Sequence, residues 1–144
     1  MKVLLDTTFI LPSLGIDVGE EVSKGLKKLA RIKADIYFSR FSILETLWVA
    51  VRLSKSANFD PESFRLGLRS VLESGRYIKV EEDSEIFNEA LKLNMLGHKD
   101  MIDNILYASS TSLNLKLLTL DNELKEFIHE KRLKDTLLHP NQIS

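Results

Sequence analysis

Short apolar runs alternate with stretches of helical periodicity along the whole chain, and no other feature restricts its fold so strongly. Lys2–Leu5 is one such run, closed by Asp6; Asp35–Ser39, Tyr77–Val80 and Lys116–Leu120 are three more, with a fifth candidate near Thr136–Leu138. Between them apolar residues recur every three or four positions, from about Val18 to Lys33, Phe41 to Ser54, Pro61 to Gly75, Ser84 to Leu96, Asp100 to Asn114 and Asn122 to about Lys131. Strands interrupted by helices cannot pair as tight hairpins and need crossover connections. The predicted class is therefore α/β, a three-layer α/β/α arrangement with a short, mostly parallel sheet of four or five strands and helices on both faces. At 144 residues, without a Pro/Gly-rich linker or a charge run, residues 1–144 are expected to form one domain.

Local signals refine the picture. Asp60-Pro61-Glu62 has the acid, proline and acid of a helix start, while Gly75 and Gly97 mark helix ends. The helix beginning at Phe41 is expected to bury Leu44, Leu47, Trp48 and Val51, and the one beginning at Ser84 offers Ile86, Phe87, Ala90, Leu91 and Leu93 for packing. Lys24, Lys27, Lys28 and Arg31 share a basic outer face that could track phosphates, as could Arg65, Arg69 and Arg76, though the first is read foremost as a solvated face. His98, His129 and His139 show no metal-ligand spacing.

Composition removes several chemistries. There is no cysteine, hence no disulfide, thiolate nucleophile or cysteine-held zinc or iron–sulfur centre. Lysine plus arginine (20) nearly balance aspartate plus glutamate (21), so no global basic field advertises a nucleic-acid partner; any polyanion must be held locally. The apolar runs are far shorter than a membrane helix requires, and Asp6 and Pro12 interrupt any signal-like stretch, so a cytoplasmic protein is expected, with no membrane contact.

Four acids stand out by position. Asp6 and Asp121 each end an apolar strand, and in parallel α/β sheets ligands bind beyond the carboxyl ends of the strands. Each is equally placed to cap the following helix. Glu45 has mostly apolar neighbours one helical turn away and no local basic partner, so it must be solvated, hydrogen-bonded or bound to a cation. Asp103 follows Asp100 by one turn, and two such acids repel unless a cation lies between them. An all-carboxylate set suits a hard ion, Mg²⁺ or Mn²⁺, rather than zinc, and such sites carry out phosphoester chemistry without a side-chain nucleophile.

The segments Val3-Leu4-Leu5-Asp6-Thr7-Thr8, Ile43-Leu44-Glu45, Asp103-Asn104-Ile105-Leu106-Tyr107-Ala108 and Leu118-Thr119-Leu120-Asp121, in that order across nearly the whole chain, resemble the PIN-domain family, especially its small prokaryotic members, many of them VapC-type toxins of toxin–antitoxin pairs. The resemblance implies a Mg²⁺- or Mn²⁺-dependent endoribonuclease that hydrolyses RNA phosphodiesters. Asp6, Glu45, Asp103 and Asp121 would be its catalytic and metal-holding acids, Thr7 and Thr119 supporting hydroxyls, and Asp100 an additional acid. It also implies an antitoxin protein as partner and a homodimer. Leu120 stands where many relatives have a basic residue. Two rivals are weighed against this reading: an aspartate-based phosphatase or receiver domain, which would need a second acid where Thr7 and Thr8 stand, and a non-catalytic α/β domain that only binds a partner.

Overall fold

The computed structural model describes residues 1–144. Five strands, β1 (Lys2–Leu5), β2 (Asp35–Phe38), β3 (Ile78–Lys79), β4 (Lys116–Leu118) and β5 (Leu137–Leu138), form one sheet in the order β3-β2-β1-β4-β5 with every neighbour parallel. Seven helices complete the chain: α1 (Thr7–Ile10), α2 (Glu20–Arg31), α3 (Arg40–Leu53), α4 (Pro61–Glu73), α5 (Ser84–Met95), α6 (Met101–Leu113) and α7 (Asn122–Glu130). Short 3₁₀ turns lie at Leu11–Leu14 and Pro140–Gln142. None of the helices is long and apolar enough to cross a membrane.

The three layers follow from the two-residue period of the strands. In β1, Val3 and Leu5 face a cluster with Phe9, Ile10, Val22 and Leu29, while Leu4 faces the opposite cluster with Leu93, Leu106 and Leu124. β4 repeats the division, with Leu118 on the first side and Leu117 on the second. Both faces are covered, which explains why these strands read as continuous apolar runs. The central pair β1–β4 is in register at Leu5 and Leu118, so the chain beyond each strand emerges at the same sheet edge.

Two expectations fail. Leu44, Leu47, Trp48 and Val51 are not buried: Trp48 is 53% and Val51 58% exposed. α3 instead turns Ser42 and Thr46 fully inward, with Ile43 and Ala50 packed against the first cluster. Small side chains let α3 lie close to its neighbours, and Thr46 satisfies its hydroxyl within the helix by donating to the Ile43 carbonyl at 2.6 Å. Periodicity identifies an apolar stripe but not what covers it. On α5, likewise, Ile86, Ala90 and Leu93 are buried while Phe87 and Leu91 are exposed.

Residues 7–14 carried no sequence assignment. They form α1, capped by Asp6, and then a 3₁₀ turn that includes Pro12 and ends at Gly15 with φ 80°. α4 rests directly on that turn: a Cβ at Gly67 would lie 2.1 Å from the Ser13 carbonyl oxygen and 2.8 Å from the Leu14 Cα. Both are backbone atoms that cannot swing aside. Gly67→Ala is therefore expected to destabilise the fold by about 3 kcal/mol, the upper end for overpacking. A urea midpoint equal to that of the unmodified protein would contradict this contact.

Candidate active site

Backbone pairing sets the positions of the acids at the sheet edge. The Asp6 amide donates to the Leu118 carbonyl at 3.1 Å, which ties the end of β1 to the end of β4. Asp6 then caps α1, its Oδ1 accepting from the Phe9 amide at 3.4 Å. Asp121 caps α7, with Oδ1 accepting from Leu124 at 3.1 Å, and its own amide donates to the Thr119 hydroxyl at 3.0 Å. Asp100 caps α6 through the Asp103 amide at 3.1 Å, leaving Asp103 in the first turn. In each cap one carboxylate oxygen accepts from the helix and the second is free of that role. Capping and a place in the site are compatible for Asp6 and Asp121.

Glu45 reaches the same place from α3. Thr7 donates its hydroxyl to Glu45 Oε1, joining the start of α1 to the middle of α3. Asp6, Glu45, Asp100, Asp103 and Asp121 thus line one recess of about 440 Å³, together with Thr7, Thr8 and Leu120. The structure brings together all four predicted acids, the secondary acid Asp100 and Thr7. Thr119 is buried beneath Asp6 and Asp121 and lines the adjoining recess instead. Thr8 was missed by sequence reasoning, although it directly follows Thr7.

Five carboxylates and no cation line this recess, and its electrostatics are correspondingly strained. Burial raises the Asp6 pKa to about 6, against the lowering effect of hydrogen bonds from the Thr119 hydroxyl and the Phe9 and Thr8 amides. Asp103 is pushed up to about 9, first by burial, then by a hydrogen bond shared with Asp121, and then by the charges of Asp100, Asp121 and Asp6. No three of the acids converge into a ready-made metal cage. Burial first, and then the neighbouring carboxylates, favour the neutral form of Asp103 in the absence of a cation.

The donor set consists only of oxygen, from carboxylates and hydroxyls, which is the chemistry that Mg²⁺ and Mn²⁺ select. The three histidines take no part in the recess. His98 is buried, with Nδ1 and Asn104 Oδ1 2.7 Å apart, and Asn104 Nδ2 donates to the His98 carbonyl at 2.8 Å. This clamp fastens the loop before Asp100 to α6 beside Asp103. A fully buried asparagine among the apolar residues of α6 was the available signal for it. Asn104→Ala is expected to cost about 1–3 kcal/mol by stranding buried polar groups, measured as a lower thermal midpoint; an unchanged midpoint would mean that the clamp carries no load.

A PIN domain model matches residues 3–129. No curated protein matches the chain in sequence. Among solved structures, VapBC2 from Rickettsia felis bound to a promoter DNA fragment aligns at 17% identity and TM-score 0.65, covering 96% of this chain and 98% of the other. A toxin–antitoxin complex from Klebsiella pneumoniae aligns at 14% identity and TM-score 0.60, covering 96% and 97%. PAE2754 from Pyrobaculum aerophilum aligns at 19% identity and TM-score 0.64, covering 98% and 93%. These identities speak for the fold alone, whereas the family match spans nearly the whole chain and contains every acid of the recess. The chain belongs to the PIN domain family.

Proposed function

We propose that this protein is a metal-dependent endoribonuclease whose centre is the recess formed by Asp6, Glu45, Asp103 and Asp121. The observation that carries this reading is that five carboxylates, Asp6 after β1, Glu45 on α3, Asp100 and Asp103 at the start of α6 and Asp121 at the N-cap of α7, line one concavity without a single basic side chain. A Mg²⁺ or Mn²⁺ ion held there would supply a Lewis acid for the scissile phosphodiester and for the attacking water. Asp6 and Asp121 would hold it with the oxygen that does not cap a helix. Asp103 would release its proton on loading, and Thr7 fixes the orientation of Glu45. Thr119 steadies Asp6 and Asp121 from below.

The test is direct. Titration calorimetry with Mn²⁺ should register binding accompanied by proton release, and RNA cleavage should require Mn²⁺ or Mg²⁺ and stop on chelation. A protein that binds neither ion, or that cuts RNA equally well in chelator, would dispose of the reading.

The exposed stripe Leu44, Leu47, Trp48 and Val51 on α3 supports a partner in addition to RNA. Apolar residues at this spacing suit the apolar face of a helix, the part an antitoxin would supply or a second copy of the chain could fill. Similarity to a toxin–antitoxin complex favours the antitoxin. Trp48 is the only tryptophan, so its emission should shift to the blue when this stripe is covered. Sedimentation of the isolated chain tests the homodimer: emission that shifts as dimers form would assign the stripe to a second copy, and a monomer at high concentration would exclude it.

A further inference from the structure

The acid recess does not end the concave surface. It adjoins a narrower recess through Leu120 and Asp121, and the wall of that recess includes Lys125 and His139. A third, of about 310 Å³, shares Lys125 and Asp135 with the second and is lined by His129 and Arg132 over Ile128 and Leu133. Lys125 and His129 lie one turn apart on one face of α7, and Arg132, just beyond its C-terminal end, lines the same recess. Asp121, at the N-cap of the same helix, lies about 6 Å along the axis from Lys125.

Charge changes sign along this path. The acid recess has five carboxylates and no cation, whereas the third has a lysine, an arginine and a histidine against Asp135 alone. Neither Lys125 nor Arg132 takes part in an ion pair, although Lys24, Arg65, Arg69 and Lys92 on other helices are paired with glutamates. A further recess, which shares Asp100, Asp103 and Asp121 with the first, adds Glu123 and only Lys99 as a lysine or arginine, a wall that repels a polyanion. The chain is nearly neutral overall, so this unpaired basic face provides local attraction where the sequence shows no global field.

We propose that the substrate strand leaves the acid recess across the Lys125–His129–Arg132 face of α7, and that Lys125 and Arg132 hold its phosphates. This track rests on the ribonuclease reading and assigns it a polarity of binding: attraction on the α7 side, repulsion on the Asp100 side. Lys27 and Arg31, on the basic face of α2, line none of these recesses and take no part.

The test uses a fluorescein-labelled single-stranded RNA of about a dozen nucleotides, with binding read by anisotropy over a salt series. Asp6→Asn is the common background, so that the probe stays intact. Adding Lys125→Ala and Arg132→Ala should weaken binding at least about 10-fold and lower the slope of log affinity against log salt by about 1.4, the loss of two phosphate contacts on a single strand. Adding Lys27→Ala and Arg31→Ala should change neither. With Asp6 restored, the α7 variant should cut RNA with a raised KM and little change in kcat, a split that general unfolding would not produce.

Unchanged affinity and slope in the α7 variant, or a loss confined to the α2 variant, would overturn the track. So would retention of RNA binding with loss of salt-sensitive binding to polyglutamate, which would assign the face to an acidic polypeptide. If the unmodified protein cuts RNA with Mn²⁺ while the α7 variant binds normally, only the track fails. If it does not cut RNA at all, the ribonuclease reading falls and the track with it.

Discussion

Asp6→Asn and Asp121→Asn are each expected to reduce Mn²⁺-supported RNA cleavage at least about 100-fold, on the scale of losing one essential electrostatic contact to the reacting phosphate. Neither change should unfold the protein. Both residues cap helices through Oδ1, at Phe9 and Leu124, and the asparagine side-chain oxygen accepts the same hydrogen bond. What asparagine removes is the charge, and here charge is a burden: burial raises the Asp6 pKa, and Asp121 adds to the repulsion around Asp103. The metal-free Asn variants should therefore melt at or above the temperature of the parent. Alanine at either position should lose cleavage and, in addition, about 1 kcal/mol of stability with the cap. These opposite effects separate the two roles. If Asp6→Asn and Asp121→Asn keep full activity, the acids are caps and nothing more; if they lose activity only by unfolding, the recess has not been tested as a site of chemistry and the Glu45→Gln variant, which disturbs no cap, decides.

How much of this was legible in the sequence depends on what fixes each residue. Asp6 and Asp121 could be read because a buried parallel strand is a continuous apolar run and its polar terminator marks the ligand edge; the pairing of Leu5 with Leu118 brings the two termini together. Glu45 showed itself by lacking any local basic partner, but its attachment to Thr7 crosses 38 residues of sequence and no local rule could supply it. The buried face of α3 was misread for a related reason. Leu44, Leu47, Trp48 and Val51 have the spacing of a core stripe, yet Ser42 and Thr46 face inward because close approach of the helix favours small residues there. α1 is too short to develop a period and was invisible apart from its cap. The basic face of α7 was equally hidden. Lys125, His129 and Arg132 look unremarkable until the recesses beside Asp121 show where they lead.

In the absence of divalent metal the protein should become less stable as pH rises, the reverse of ordinary carboxylate behaviour. Asp103 and Asp6 have folded-state pKa values of about 9 and about 6, both above the ordinary aspartate value of 3.8. Below that value folded and unfolded chains both hold these protons. As pH rises, the unfolded chain gives them up first, so it binds fewer protons than the native state and stability falls, by at most about 1.4 kcal/mol per pH unit for each proton withheld. The contribution is thus fully present below 3.8 and is lost progressively through about 6 for Asp6 and about 9 for Asp103. Asp60 and Glu62, whose pKa values are lowered by the Ser63 hydroxyl and by Arg65, titrate below this window and do not obscure it. In chelator, thermal midpoints should decline from about pH 5 to about pH 8, and Asp103→Asn should flatten the decline by removing the group with the widest titration gap. Mn²⁺ should act in the opposite sense, raising the midpoint more at the upper end of the range, because a cation stabilises the ionised carboxylates that are costly without it. Parallel declines in parent and Asp103→Asn, together with a Mn²⁺ effect that does not grow with pH, would show that the five acids are not competing for one space.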